Sequence, residues 1–367
     1  MKTASERGGP GASGSRRSAA LLAAAAPALA LLVALPFVLS PSVSAGAQDG
    51  AAGTGARSEA GTSSSPVASA GAAMPGAASS AAAQQAVSGE ASKPLRIISL
   101  FAAHTEIVLR EGGRDSLVGI SEQETYDGPE TDGWDRPPAF SIHDDVEKFL
   151  AFKPDLILVR PQHLNAAPNL FETLEGTGIR IWSRQITEAE GLFGYWQELG
   201  SLIGRQAEAE RMTEGFKAAL VPFEANLNRP GRPGVFLESI HREIKTFTPD
   251  SIPVWILGYA GGRNVASDAE PSRAGYIVAN YGPERLLSKA SEVDVYLSQE
   301  GPMNRVPLSE ITGRDIFRTL PAVKNGRVFK VPENLMSRPT PSLLDGRRYL
   351  EGCIRDGKPP ADLALPD

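Results

Sequence analysis

Four histidines punctuate the 367-residue chain: His104, His143, His163 and His241. Imidazole is the commonest side-chain metal ligand near neutral pH. Three of the four follow short apolar runs that read as strands. His104 comes after 96–100, His163 after 155–160 and His241 after 235–238. Open α/β sheets bind ligands beyond the carboxyl ends of their strands. His104, His163 and His241 are therefore candidate ligand-binding residues and candidate metal ligands. No two of them stand four apart on one helix. Spacing alone leaves open whether they ligate a metal or serve structure.

Arginines form a second constellation. Arg160 follows a strand, and Arg263, Arg273, Arg305 and Arg338 fall in loops of the second half. A guanidinium is planar and always charged, and it recognises carboxylates, catecholates or phosphates through paired hydrogen bonds. Arg160, Arg273 and Arg338 are the preferred candidates. Aromatic residues form a third set: Tyr126, Trp134, Phe140, Tyr259 and Tyr276 read as loop residues, suited to lining a pocket for a bulky organic ligand. Of these, Tyr126, Trp134 and Tyr259 join the expected site. Trp182 and Trp196 fit strand and helix faces and are expected in the core.

Other chemistries find little support. There is no G-x-S-x-G and no HExxH, and the single cysteine, Cys353, stands far from every histidine. Glu238-Ser239-Ile240-His241 sets a serine near a histidine, but sequence adjacency is not triad geometry. An enzyme is not expected. One cysteine makes neither an intrachain disulfide nor a thiolate metal site. The formal net charge of -6 argues against nucleic acid as a partner.

The elements that must position these residues alternate. Strands are expected at 96–100, 117–120, 155–160 and 179–182, with helices at 104–111, 144–152 and 170–174. From 188 to 228 no strand is found. Met212, Phe216, Leu220, Phe223 and Leu227 recur at helical spacing there, with Pro222 expected to kink the helix. The alternation then resumes, with strands at 235–238, 293–297 and 328–331 and helices at 253–258, 283–289 and 341–356. Short apolar strands alternating with helices predict an α/β fold with parallel sheets covered on both faces. Ahead of this, Lys2, Arg7, Arg16 and Arg17 precede an apolar stretch over 19–39 and then small residues, the pattern of a signal peptide. No cysteine follows it to take a lipid anchor. Residues 48–93 are nearly all Ala, Gly, Ser, Thr, Pro and Gln, and they read as a linker.

The run RIISLFAAHTEIVLREGGRDSLVGIS at 96–121 resembles the opening of solute-binding proteins from ABC importers of iron-siderophores, haem and vitamin B12. DDVEKFLAFKPDLILVR at 144–160, LGSLIGRQAEAERM at 199–212 and YGPERLLSKASEVDVYL at 281–297 resemble later segments of that family, in order. AVKNGRVFKVPENLMSRPTPSLLDG at 322–346 completes the set. No single segment is specific; their succession is. Phe101-Ala102-Ala103-His104 departs from the Pro-Ser or Ser-Pro-like turn common in the family, so the ligand can differ from that of its best-known members.

The resemblance implies two Rossmann-like lobes joined by a single long connecting helix, with the ligand cleft between them. The organisation expected is a signal peptide at 1–47, a linker at 48–93, an N-terminal lobe at 94–187, the connecting helix region at 188–230 and a C-terminal lobe at 231–367. The expected function is capture of a metal chelate, an iron complex first, in the periplasm by a monomer. Delivery to an ABC permease dimer with its ATPase follows. A corrinoid and a bare divalent ion are the alternative ligands, and an exported metal chaperone or sensory subunit is the alternative role. In the resembled family each lobe offers the permease an acidic residue, and the matching positions here are Glu147 and Glu284. No intrinsic cofactor is expected; iron or cobalt arrives within the ligand.

Overall fold

The computed structural model describes residues 94–273 and 275–365. The expected signal peptide and linker lie outside these residues.

The first half builds a five-stranded parallel sheet from β1 (Ile97–Ser99), β2 (Leu117–Ser121), β3 (Ala139–Phe140), β4 (Leu156–Val159) and β5 (Arg180–Ser183). Its order is β3-β2-β1-β4-β5. Between them run α1 (Ala102–Arg110), α2 (Val146–Ala151), α3 (Pro161–Ala166) and α4 (Pro168–Gly176). Successive strand residues alternate between two apolar layers. Ile97, Leu156 and Leu158 enter one, and Ile98, Ile157 and Val159 the other. That is the period of two that a sheet covered on both faces requires.

The connecting region differs from the expected single long helix. It contains α5 (Leu192–Leu202) and α6 (Gln206–Leu220), flanked by 3-10 turns at Ala189–Gly191 and Val221–Asn226. The break falls at Gly204, whose φ of +72° ends α5 in the left-handed conformation that glycine adopts at little cost. Arg205 N–H then bonds back to Gly200 O at 2.6 Å. Pro222 ends α6 rather than kinking it, because the ring cannot accommodate the carbonyl one turn earlier. The two helices pack closely: a Cβ on Gly200 would sit 2.4 Å from that of Ala209.

The second half builds a four-stranded parallel sheet in the order β11-β10-β6-β8. Its strands are β6 (Gly234–Glu238), β8 (Arg263–Asn264), β10 (Val295–Glu300) and β11 (Val328–Pro332), while β7 (Lys245–Phe247) pairs antiparallel with β9 (Val278–Asn280). Helices α7 (Ile252–Tyr259), α8 (Gly282–Ser288), α9 (Leu308–Gly313), α10 (Pro321–Lys324), α11 (Glu333–Met336) and α12 (Leu343–Glu351) cover it. Among the described residues, no helix is long and apolar enough to cross a membrane.

One apolar cluster runs through both halves, taking Ile97 and Leu158, then Trp196 and Phe216, then Val235 and Tyr349. Polar contacts add to it. Trp196 Nε1 donates to Pro339 O at 2.8 Å. Glu106, 3% exposed, accepts Ser342 Oγ at 2.6 Å and pairs with Arg110 at 2.9 Å.

Candidate functional site

The strand order of each sheet reverses at one place, between β1 and β4 in the first and between β6 and β10 in the second. Such switch points open a crevice at the carboxyl ends of the strands. A cleft of about 770 Å³ lies there, lined from both lobes. Phe101 follows β1; Arg160 and His163 follow β4; Gln299 and Met303 end and follow β10; Glu333 and Arg338 follow β11.

Pro161 stands at the first position of α3, where its missing N–H costs nothing, and Arg160 caps that helix from outside. The Arg160 guanidinium lies over the Phe101 ring, 4.6 Å from its centroid, with Nη2 3.4 Å from His163 Nε2. Its Nε is buried without a partner, and among the described residues Arg160 makes no ion pair. Burial and the charge of Arg338 hold the guanidinium below its usual pKa, with Glu333 opposing them. From the other lobe Arg338 pairs with Glu333 at 3.1 Å and donates to Thr125 Oγ1 at 2.9 Å. Burial, then the charge of Arg160, pulls His163 down to about 4, so its ring is neutral at pH 7. The cleft thus presents the guanidinium groups of Arg160 and Arg338, the carboxylates of Glu122 and Glu333 and the imidazoles of His143 and His163.

Of the nine expected ligand-binding residues, Arg160, His163 and Arg338 line the cleft. Arg273 stands at its rim, 3.7 Å over the ring of Tyr276, which does line it. The other five do not. His104 is fully buried: its Nε2 donates to Arg184 O at 3.1 Å, and Phe101, Trp182 and Tyr195 surround the ring. Burial holds its pKa down to about 3. His241 is fully buried too, because the chain turns after β6 into β7 and carries the side chain inward, where Nδ1 meets Glu238 Oε1 at 2.7 Å. Tyr126 is buried, with its hydroxyl on Glu130 and its ring under Arg110. Trp134 packs on the main core, and Tyr259 packs edge-on against Trp255 with centroids 5.2 Å apart. The expected trio His104, His163 and His241 is therefore not brought together. Among the described residues, no group of three His, Cys, Asp or Glu side chains is placed to hold a metal ion. Trp182 and Trp196 pack on the core as expected.

Phe101, Glu333 and Met303 line the cleft without having been singled out from the sequence. Phe101 had a usable signal, since it directly follows a strand. Met303 and Glu333 sit in stretches with no diagnostic spacing.

The family described as "Periplasmic binding protein" has a model that matches residues 97–335. The chain is 23% identical over 269 residues to the "Uncharacterized ABC transporter substrate-binding lipoprotein YvrC" of Bacillus subtilis (strain 168), covering 71% of this chain and 80% of that protein. It is 24% identical over 265 residues to the vitamin B12-binding protein of Vibrio parahaemolyticus (serotype O3:K6, strain RIMD 2210633), covering 72% and 90%. Among solved structures, a possible iron-binding periplasmic solute-binding protein from Staphylococcus epidermidis ATCC 12228 superposes with a TM-score of 0.61 at 23% identity, over 71% of this chain and 98% of that one. That likeness concerns the fold.

Proposed function

The chain belongs to the periplasmic binding protein family, and we propose on that footing that it captures an anionic metal chelate between its lobes and hands it to an ABC permease. An iron complex is the first choice of ligand. The observation that carries the reading is the pair Arg160 and Arg338, one from each lobe, facing a single cleft in which Arg160 has no carboxylate partner. Unneutralised guanidinium in a partly dry cleft favours a ligand that brings negative charge. Ferric chelates of carboxylates and catecholates carry such charge. The neutral His163 can face a vacant position on the metal or accept a hydrogen bond from the chelate.

A corrinoid is the second reading, and the similarity to the Vibrio vitamin B12-binding protein favours it. A bare divalent ion lacks support, because the histidines once grouped for it stand apart. Capture takes place outside the cytoplasm, with the 1–47 segment as the export signal and the protein acting as a monomer.

The test is native mass spectrometry and absorbance on protein purified from its own host, followed by binding of ferric citrate at several salt concentrations. A ferric chelate should co-purify. Arg160→Ala and Arg338→Ala should each weaken ferric citrate by about tenfold or more, since a charge-assisted contact contributes roughly 1.5–3 kcal/mol. A corrinoid mass moves the assignment to the second reading. Unchanged affinity in both arginine variants overturns the anionic-chelate reading.

A further inference from the structure

Met303 is 65% exposed, the most exposed large apolar side chain among the described residues, and it lines the cleft. A lone exposed apolar residue is ordinary. Its mounting is not. Met303 sits in the turn 301–304 after β10, where Gly301 N–H bonds to Asn304 O at 3.2 Å and Asn304 N–H to Gly301 O at 3.1 Å. Asn304 is 4% exposed and saturates its amide. Its Oδ1 accepts His241 N–H at 2.9 Å, and its Nδ2 donates to Ser298 Oγ at 3.1 Å and Gln299 O at 2.7 Å. Ser298 Oγ in turn donates to Glu238 Oε2 at 2.7 Å. Glu238 Oε1 takes the Tyr296 hydroxyl at 2.5 Å as well as the His241 ring. The turn is rooted in a buried polar network in which the Asn304 amide, Ser298 Oγ and both Glu238 oxygens are hydrogen-bonded, while His241 Nε2 has no partner. The bonds made on Asn304 itself are what fix the turn. Tyr276, 38% exposed, and Ile277 add apolar surface to the same wall.

We propose that Met303 is the specificity-determining contact of this cleft. It covers an apolar face of the bound chelate, so the chain selects anionic chelates with a broad apolar surface over compact hydrophilic ones. Asn304 is the positioning residue that holds Met303 in place. The inference rests on the anionic-chelate reading and narrows it. An unbranched, polarisable thioether adapts to the contour of a ligand, and a rigid turn beneath it lowers the entropy lost on binding.

The probes are haemin, an anionic ferric chelate with a wide apolar macrocycle, and ferric citrate, an anionic ferric chelate without one. Wild-type protein should bind haemin more tightly. Met303→Ala should weaken haemin on the order of tenfold or more, the worth of one buried apolar side chain, and leave ferric citrate unchanged. Asn304→Asp keeps the acceptor for His241 N–H but lacks both donors, and it should show the same selective loss. A purely structural role would lower the melting temperature and weaken both chelates alike. Equal losses for both probes, or no loss for haemin in Met303→Ala, overturns the assignment of Met303 while ferric citrate binding keeps the broader reading intact. Wild-type protein that binds neither probe overturns both.

Discussion

His104 stands where a ligand-binding histidine was expected and behaves as a core residue. Its neighbours explain why. Arg184 O takes the Nε2 proton, three aromatic rings close around it and burial holds its pKa near 3. The position after β1 was legible in the sequence; the direction of the side chain was not, because helix α1 starts two residues earlier and turns His104 inward. Arg160 lines the cleft because Pro161 starts α3 one residue later and leaves Arg160 outside the helix. The depressed pKa has a stability consequence. The folded value of about 3 lies below the unfolded value near 6.5, so the unfolded chain binds more protons between them. The stability is present above pH 6.5 and is lost as pH falls toward 3, by up to about 1.4 kcal/mol per pH unit for one group. His104→Phe keeps the aromatic packing and removes the titration. Urea unfolding of this variant at pH 7 and pH 5 should show a smaller difference in midpoint than wild type. An unchanged difference would mean that His104 is not the titrating group.

Helices α1, α5 and α6 meet at a second buried titratable residue. Glu111 follows the end of α1 with both carboxylate oxygens unpartnered, and Oε1 would lie 3.3 Å from a Cβ on Gly200. The hydroxyls of Tyr195 on α5 and Thr213 on α6 are likewise buried without partners. Burial, and then the charge of Glu208 on α6, pushes Glu111 up to about 9. Here the folded pKa is raised, so the stability is fully present below about pH 4.5 and is lost as pH rises through 9. Glu111→Gln should raise the unfolding free energy at pH 8 by more than about 1 kcal/mol and flatten its decline between pH 5 and pH 9. Denaturant titrations across that range decide it, and a parallel decline in the variant would count against the assignment. At this scale much of the fold was readable. The apolar runs of β1, β2, β4, β5, β6, β10 and β11 and the 3.6-residue spacing of α6 are strong signals. The two-residue strands β3 and β8 offer no period to read. The β7–β9 pair depends on a partner far along the chain. Met212, Phe216 and Leu220 all fall within α6 and carry no information about the break before it, which lies at Gly204, while the single connecting helix came from the family resemblance.

At the scale of the whole molecule, the succession of family-like segments proved more informative than any one of them, since it survives low identity at each position. It also bears on how the lobes present themselves to a permease. The shared apolar cluster, the Glu106–Ser342 contact and the Trp196–Pro339 bond tie the lobes together, so surface groups on each keep a fixed separation. Glu147 and Glu284 are exposed and stand in the first turns of α2 and α8, one helix per lobe. A carboxylate there also interacts with the helix dipole, a contribution of about 0.3–1 kcal/mol to stability. The two roles separate experimentally. Charges at a docking surface set register and encounter rate and leave small-ligand affinity alone, whereas dipole contacts affect only the melting temperature. Glu147→Arg combined with Glu284→Arg should therefore leave chelate affinity unchanged and lower the melting temperature only slightly. Stimulation of ATP hydrolysis by the reconstituted permease should be abolished, and each single variant should fall in between. Stimulation by the double variant at wild-type level would place the docking surface elsewhere and leave these two residues as ordinary helix-terminal carboxylates.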